Sequence, residues 1–136
     1  MIGEETYSKN VCWSEDRIVN FALFRNANSF KFIKIYGITH IYYPDTVGRK
    51  WEKEQKKRIF HDELINAMSI YNITKNTKDE VFAAYEFKRN WGYSSTALTE
   101  ENKILAKNLY NKLINSTFIS ENYKKILINI TNNMLN

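Results

Sequence analysis

Four glycines and one proline are spread over 136 residues. Tight reversals lean on these two residue types, glycine for positive φ and proline for a fixed corner. A chain this short of both can build few hairpins, so helices are expected to dominate. A glycine-rich loop that cradles phosphate is excluded. The sequence is 43% hydrophobic and 15% aromatic, which is enough to bury a core and argues against disorder throughout. Its length suits one domain. No apolar run approaches the roughly 18 residues of a membrane span. The opening MIGEE has neither the basic nor the apolar region of a secretory signal. Cys12, the single cysteine, can form no internal disulfide and cannot build a zinc site alone. These features predict a cytoplasmic protein with no membrane segment.

Composition carries a second signal. The chain holds 17 Asn, 15 Lys and 16 Ile, all with codons rich in A and T. A gene of low GC content, of the kind common on mobile genetic elements, accounts for this without any demand from the fold. Glycosylation sequons headed by Asn72, Asn115 and Asn129 are then best read as products of the asparagine bias.

The hydrophobic period changes along the chain. Residues 17–24 (RIVNFALF) are rich in β-branched and aromatic side chains and read as a strand. Residues 29–36 (SFKFIKIY) and 38–43 (ITHIYY) alternate about Gly37, which suggests a hairpin or a bulged strand. A turn at residues 26–28 would join the first two strands, and Pro44 would end the sheet. From there the period becomes helical. Residues 50–71 place Phe60, Leu64, Ala67, Met68 and Tyr71 on one stripe. Residues 78–91 follow a Thr77–Glu80 capping box, with Gly92 as the C-cap candidate. Residues 100–115 start from Thr99 and align Leu105, Leu109 and Leu113. Residues 121–135 start from Ser120 and align Tyr123, Leu127, Ile130 and Met134. The expected fold is one α+β domain over residues 1–136, β-rich at 15–44 and helical at 48–135. A three-stranded antiparallel sheet would be followed by about four packed helices.

The formal net charge is +5. Much of it is gathered in Arg49, Lys50, Lys53, Lys56, Lys57 and Arg58. At 100° per residue, Arg49, Lys50, Lys53, Lys56 and Lys57 fall within about 120° of helix surface, on the arc that continues into Phe60 and Leu64. Cations in a first turn oppose the helix dipole, so fold stability does not ask for them. The cluster suits a contact with an acidic protein surface or a phosphate backbone, and equally a solvated helix end supported by a Glu52–Lys56 pair. Tyr36, Tyr42, Tyr43 and Trp51 lie close by in sequence. They suit an interface anchor, base stacking, or the core between sheet and helices. Trp91 and Tyr93, just past the third stripe, either fold back on the helix or stand exposed.

No catalytic pattern emerges. His40 and His61 are the two histidines, and neither has a partner at i+3 or i+4 spacing suited to metal binding. His61, Asp62 and Glu63 are consecutive and so point in three directions on a helix. The sequence therefore predicts no catalytic residue, cofactor or metal. It favours a non-enzymatic protein that neutralises a protein partner by stoichiometric occlusion, as immunity proteins, antitoxins and anti-defence inhibitors do. Arg49, Lys50, Lys53, Lys56 and Lys57 would steer that partner, and Tyr42, Tyr43 or Trp51 would anchor it. Alternatively, Glu52, Glu54, Asp62 and Glu63 would meet a basic partner. A nucleic-acid-binding protein using the same basic face is the second reading. A small ribonuclease built on His40 or His61 is the third.

Overall fold

The computed structural model describes residues 15–29, 31, 53–94 and 98–131. Among these residues there are five helices and no strand: α1 (Glu15–Asn26), α2 (Lys53–Thr74), α3 (Glu80–Ser94), α4 (Glu100–Ile114) and α5 (Glu121–Thr131). The described fold is all-α, and the expected α+β architecture is overturned. Residues 17–24, expected as a strand, lie inside α1. That run is apolar enough for either element, and its β-branched and aromatic residues favour a strand on local propensity. Its helical register decides: Arg17, Ile18, Phe21, Ala22 and Arg25 recur at i, i+1, i+4, i+5 and i+8, and Ile18 and Ala22 are buried. Apart from Ser29 and Lys31, the second and third expected strands lie outside the described residues, as does Pro44.

The four later helices stand where the helical period predicts them; in α4 Ala106 rather than Leu105 is buried with Leu109 and Leu113, and Met134 lies outside the described residues. α2 is 22 residues, about 33 Å long. Phe60, Leu64, Ala67 and Ile70 form its buried side, with Met68 and Tyr71 packed at the edge. α3 returns antiparallel to α2 with Ala83, Ala84, Phe87 and Trp91 facing inward. The two alanines let the helix axes approach. Trp91 stacks on Phe87 at 5.6 Å and meets Phe60 edge-on at 5.9 Å. It thus folds back into the core, and its indole Nε1 donates to the Ile130 carbonyl at 2.8 Å. Gly92 is not a terminator, because α3 runs through it to Ser94.

The remaining helices dock on this hairpin. α1 runs parallel to α2: Arg17 reaches Glu63, and Arg25 reaches the Ile73 carbonyl at 3.1 Å. α4 also runs parallel to α2. Asn102 lies against Lys57, and the Lys112 ammonium stands 5.6 Å over the Tyr71 ring. Ala106, Leu109 and Leu113 carry α4 into the core. α5 runs parallel to α3, with Lys88 over Tyr123 at one end and Trp91 bonded to Ile130 at the other. No described helix is long and apolar enough to cross a membrane.

Local chemistry sets the helix ends. Thr99 caps α4 by accepting the Asn102 amide at 3.1 Å, and Ser120 caps α5 through the Tyr123 amide at 3.3 Å. α2 stops at Thr74, whose hydroxyl turns back to the Ile70 carbonyl at 2.7 Å. Asn76 then adopts φ 66°, the left-handed region that asparagine tolerates better than most residues. The expected Thr77–Glu80 box is shifted by one position. Thr77 Oγ1 accepts the Asp79 amide, while the Glu80 carboxylate takes the amide of Asn76 rather than that of Thr77.

Candidate functional site

Of the residues expected to bind a partner, Arg49, Lys50, Trp51, Tyr42 and Tyr43 lie outside the described residues. Lys53 opens α2, Lys56 and Arg58 are exposed, and Lys57 is half-buried. The basic-to-apolar transition along this face has a polar joint. Asn102, buried on α4, donates from Nδ2 to the Lys57 carbonyl at 3.0 Å and offers Oδ1 to His61 Nδ1 at 2.9 Å. With the amide in that orientation, the Nδ1 proton of His61 points at Asn102. His61 therefore helps fasten α2 to α4. His40 lies outside the described residues.

The acidic alternative fares differently. Asp62 and Glu63 are buried, so neither presents itself to a partner. Glu63 binds Arg17, whose guanidinium also reaches Glu86 at 3.0 Å. Arg89 extends the network to Glu86 at 3.8 Å. This one cation between two carboxylates belongs to the seat of α1. Glu52 and the side chain of Glu54 lie outside the described residues.

The more suggestive surface is at the other end of α2. Phe21 and Phe24 on α1 and Phe82 on α3 line an open cleft of about 370 Å³ with Arg25 and Asp79. Phe21 meets Phe82 edge-on at 5.5 Å. Phe24 is 62% exposed and Phe82 49%. Arg25 Nε donates to Asp79 at 3.0 Å, fixing α1 to the loop that precedes α3. Val81 and Tyr85 extend the exposed apolar surface along α3. The cleft is not visible to sequence reasoning that takes residues 17–24 as a strand, because a strand separates Phe21 from Phe24. The available signal was the i, i+3, i+4 spacing of Phe21, Phe24 and Arg25.

A second cleft, of about 510 Å³, opens where the α2–α3 and α4–α5 loops meet. The Glu80 carboxylate, 3% exposed, joins those loops by accepting the Ser116 hydroxyl as well as the Asn76 amide. Ser116 Oγ in turn accepts the Phe118 amide at 3.0 Å. Burial, with the negative charge of Glu80 nearby, pushes the Tyr71 phenol above its ordinary value of 10.0. Among the described residues, no three His, Cys, Asp or Glu side chains are grouped as a metal would need.

No protein-family model matches this chain, and comparison with curated proteins and with solved structures gives no match either.

Proposed function

We propose that this chain is a binding protein that engages a protein partner through the Phe21–Phe24–Phe82 cleft. The observation that carries the reading is the exposure of two phenylalanines around an open apolar cleft beside the Arg25–Asp79 pair. Large apolar groups gathered on a surface mark contact sites more often than they serve stability. Aromatic and arginine side chains around a pocket are the usual anchors of protein interfaces. The partner would insert an apolar side chain between the rings. The edge-on contact of Phe21 with Phe82 holds two of the rings together beforehand, which lowers the ordering cost on binding. Stoichiometric occlusion of a toxin or defence enzyme is the biological form we favour. The basic head of α2, with Lys53, Lys56 and Lys57, would then steer an acidic part of the same partner.

The exposed Lys56 and Arg58 also support a second reading, contact with nucleic acid. One experiment separates the two. Tagged protein is used to capture partners from cytosol and washed at low salt and at roughly 0.5 M salt, a contrast to which phosphate contacts are sensitive. The expected result is one protein retained through both washes by wild type and by Lys56→Glu, and lost with the Phe24→Ser/Phe82→Ser double variant. Nucleic acid held at low salt, released at high salt and lost with Lys56→Glu would replace this reading with the second.

A further inference from the structure

We infer that the cleft between the α2–α3 and α4–α5 loops is a binding site for a neutral sugar. The site is lined by other residues than the aromatic cleft and needs no protein partner. Asn108, Asn111, Lys112 and Asn115 line it at i, i+3, i+4 and i+7, one stripe that runs down α4 to its C-cap. Asn76, Ser116 and Thr117 complete its polar wall. Compositional bias supplies asparagines throughout the chain, but the fold gathers four of them here.

The charges and hydrogen bonds define the ligand. Among the described lining residues the charged ones are Glu80 and Lys112, one of each sign. Glu80 already accepts two hydrogen bonds, so it is poorly placed to serve a cation, and its charge disfavours an anion. What is left is a dense set of amides and hydroxyls. Each amide offers both a donor and an acceptor, which matches a ligand carrying several hydroxyls. Phe118, 46% exposed, provides aromatic surface for the C–H face of a sugar ring, whereas the Tyr71 ring is covered by the Lys112 ammonium and offers its hydroxyl. The Tyr71 phenol stays protonated at neutral pH and so remains a donor. The volume of about 510 Å³ lies within the roughly 300–1,000 Å³ typical of small-molecule sites.

The walls are fixed before any ligand arrives. The Asn115 side chain donates to the Asn111 carbonyl at 2.8 Å, and the Ser116 amide donates to the Leu113 carbonyl at 3.2 Å. The Glu80–Ser116 bond then locks one loop to the other. A site with ordered walls loses little entropy on binding, and weak polar contacts can then yield measurable affinity.

Saturation-transfer NMR on the full chain tests this with glucose, mannose, galactose and N-acetylglucosamine, each also as its methyl glycoside. Inorganic phosphate is titrated separately, following amide shifts. The expected result is transfer from at least one neutral sugar that falls several-fold in Asn108→Ala/Asn111→Ala and in Phe118→Ser, and is unchanged in Asn122→Ala. The double alanine variant should keep its melting temperature, because alanine is the better helix former. Transfer from a methyl glycoside as strong as from the free sugar shows that the anomeric hydroxyl is not read, as the end of a glycan requires, and loss on methylation identifies a free sugar. Absence of transfer from every sugar, transfer indifferent to the cleft variants, or phosphate shifts at Lys112 in place of sugar binding would each overturn the inference.

Discussion

α1 and α4 dock on the same helical hairpin by different means. α4 enters with Ala106, Leu109 and Leu113 fully buried, and its one buried amide, Asn102, is bonded on both sides to α2. α1 buries Ile18 and Ala22 but is otherwise held at its rim. Arg17 sits between Glu63 and Glu86, Arg25 reaches Asp79, and Phe21 touches the edge of Phe82. The apolar seat gains from the area it removes from water. The charged seat gains less, because desolvating the ions offsets much of their attraction. It does fix orientation, and it leaves Leu23 and Phe24 facing solvent. A helix fastened by its edges can present an aromatic surface that a helix fastened by its face would have buried.

Substitutions on each seat test that contrast. Leu109→Ala should have the largest effect, destabilising the protein by about 2–5 kcal/mol in urea unfolding, since it removes a fully buried side chain. A loss under about 1 kcal/mol would mean that α4 is not part of the core. Arg17→Met leaves Glu63 and Glu86 facing each other without their shared cation. We expect a loss of about 2 kcal/mol, below the 3–5 typical of fully buried pairs because Arg17 is partly solvated. Hydrogen exchange in that variant should accelerate through α1 and leave α4 protected; uniform acceleration would place the two helices in one cooperative unit.

Alkaline pH probes the α4 side through Tyr71. A phenol whose folded pKa lies above its unfolded value contributes stability that is complete below about pH 10. That contribution is lost as pH rises through the folded value. Tyr71 meets this condition, so stability should fall above pH 10, and Tyr71→Phe should flatten the decline. Tyr123, raised mainly by burial, will retain part of the slope. An unchanged slope in the Tyr71 variant would assign the effect elsewhere. Arg25→Ala should have the smallest effect, under about 1 kcal/mol, as its pair with Asp79 is open to solvent. Even so, it should loosen the aromatic cleft and weaken partner binding more than it weakens the fold.

The same contrast explains what was legible in the sequence. The stripes through Phe60 and Leu64, and through Leu109 and Leu113, face one core along their whole length, so the 3.6 period stands out. Thr99 and Ser120 announce their helices because a cap is a local event. α1 gives no comparable stripe: Ile18 and Ala22 are buried among residues whose charged and aromatic neighbours also make long-range contacts. Without a clean period, the β-branched content of residues 17–24 prevailed. Neither cleft was legible, because each is assembled from distant elements. Phe21 meets Phe82, and Glu80 meets Ser116, only after the helices have been paired. The basic cluster was visible as a run of charge, but its neighbour Asn102 comes from α4.

The shallow docking of α1 has a consequence for unfolding. The α2–α3 hairpin is closed by a short loop, and its contacts are local, so it can form early. Arg17 must find Glu63 and Glu86 across 46 and 69 residues of chain, but closure cost grows slowly with length and Asn102 of α4 spans a similar 45 residues to Lys57. What sets α1 apart is its shallow seat, with Ile18 and Ala22 as its buried side chains, so it is expected to leave first. The cleft of Phe21, Phe24 and Phe82 exists only while it is seated, which makes this surface a reporter of that seating. A partner that grips the cleft would stabilise the seated helix by mass action, so partner binding and the seating of α1 are thermodynamically linked.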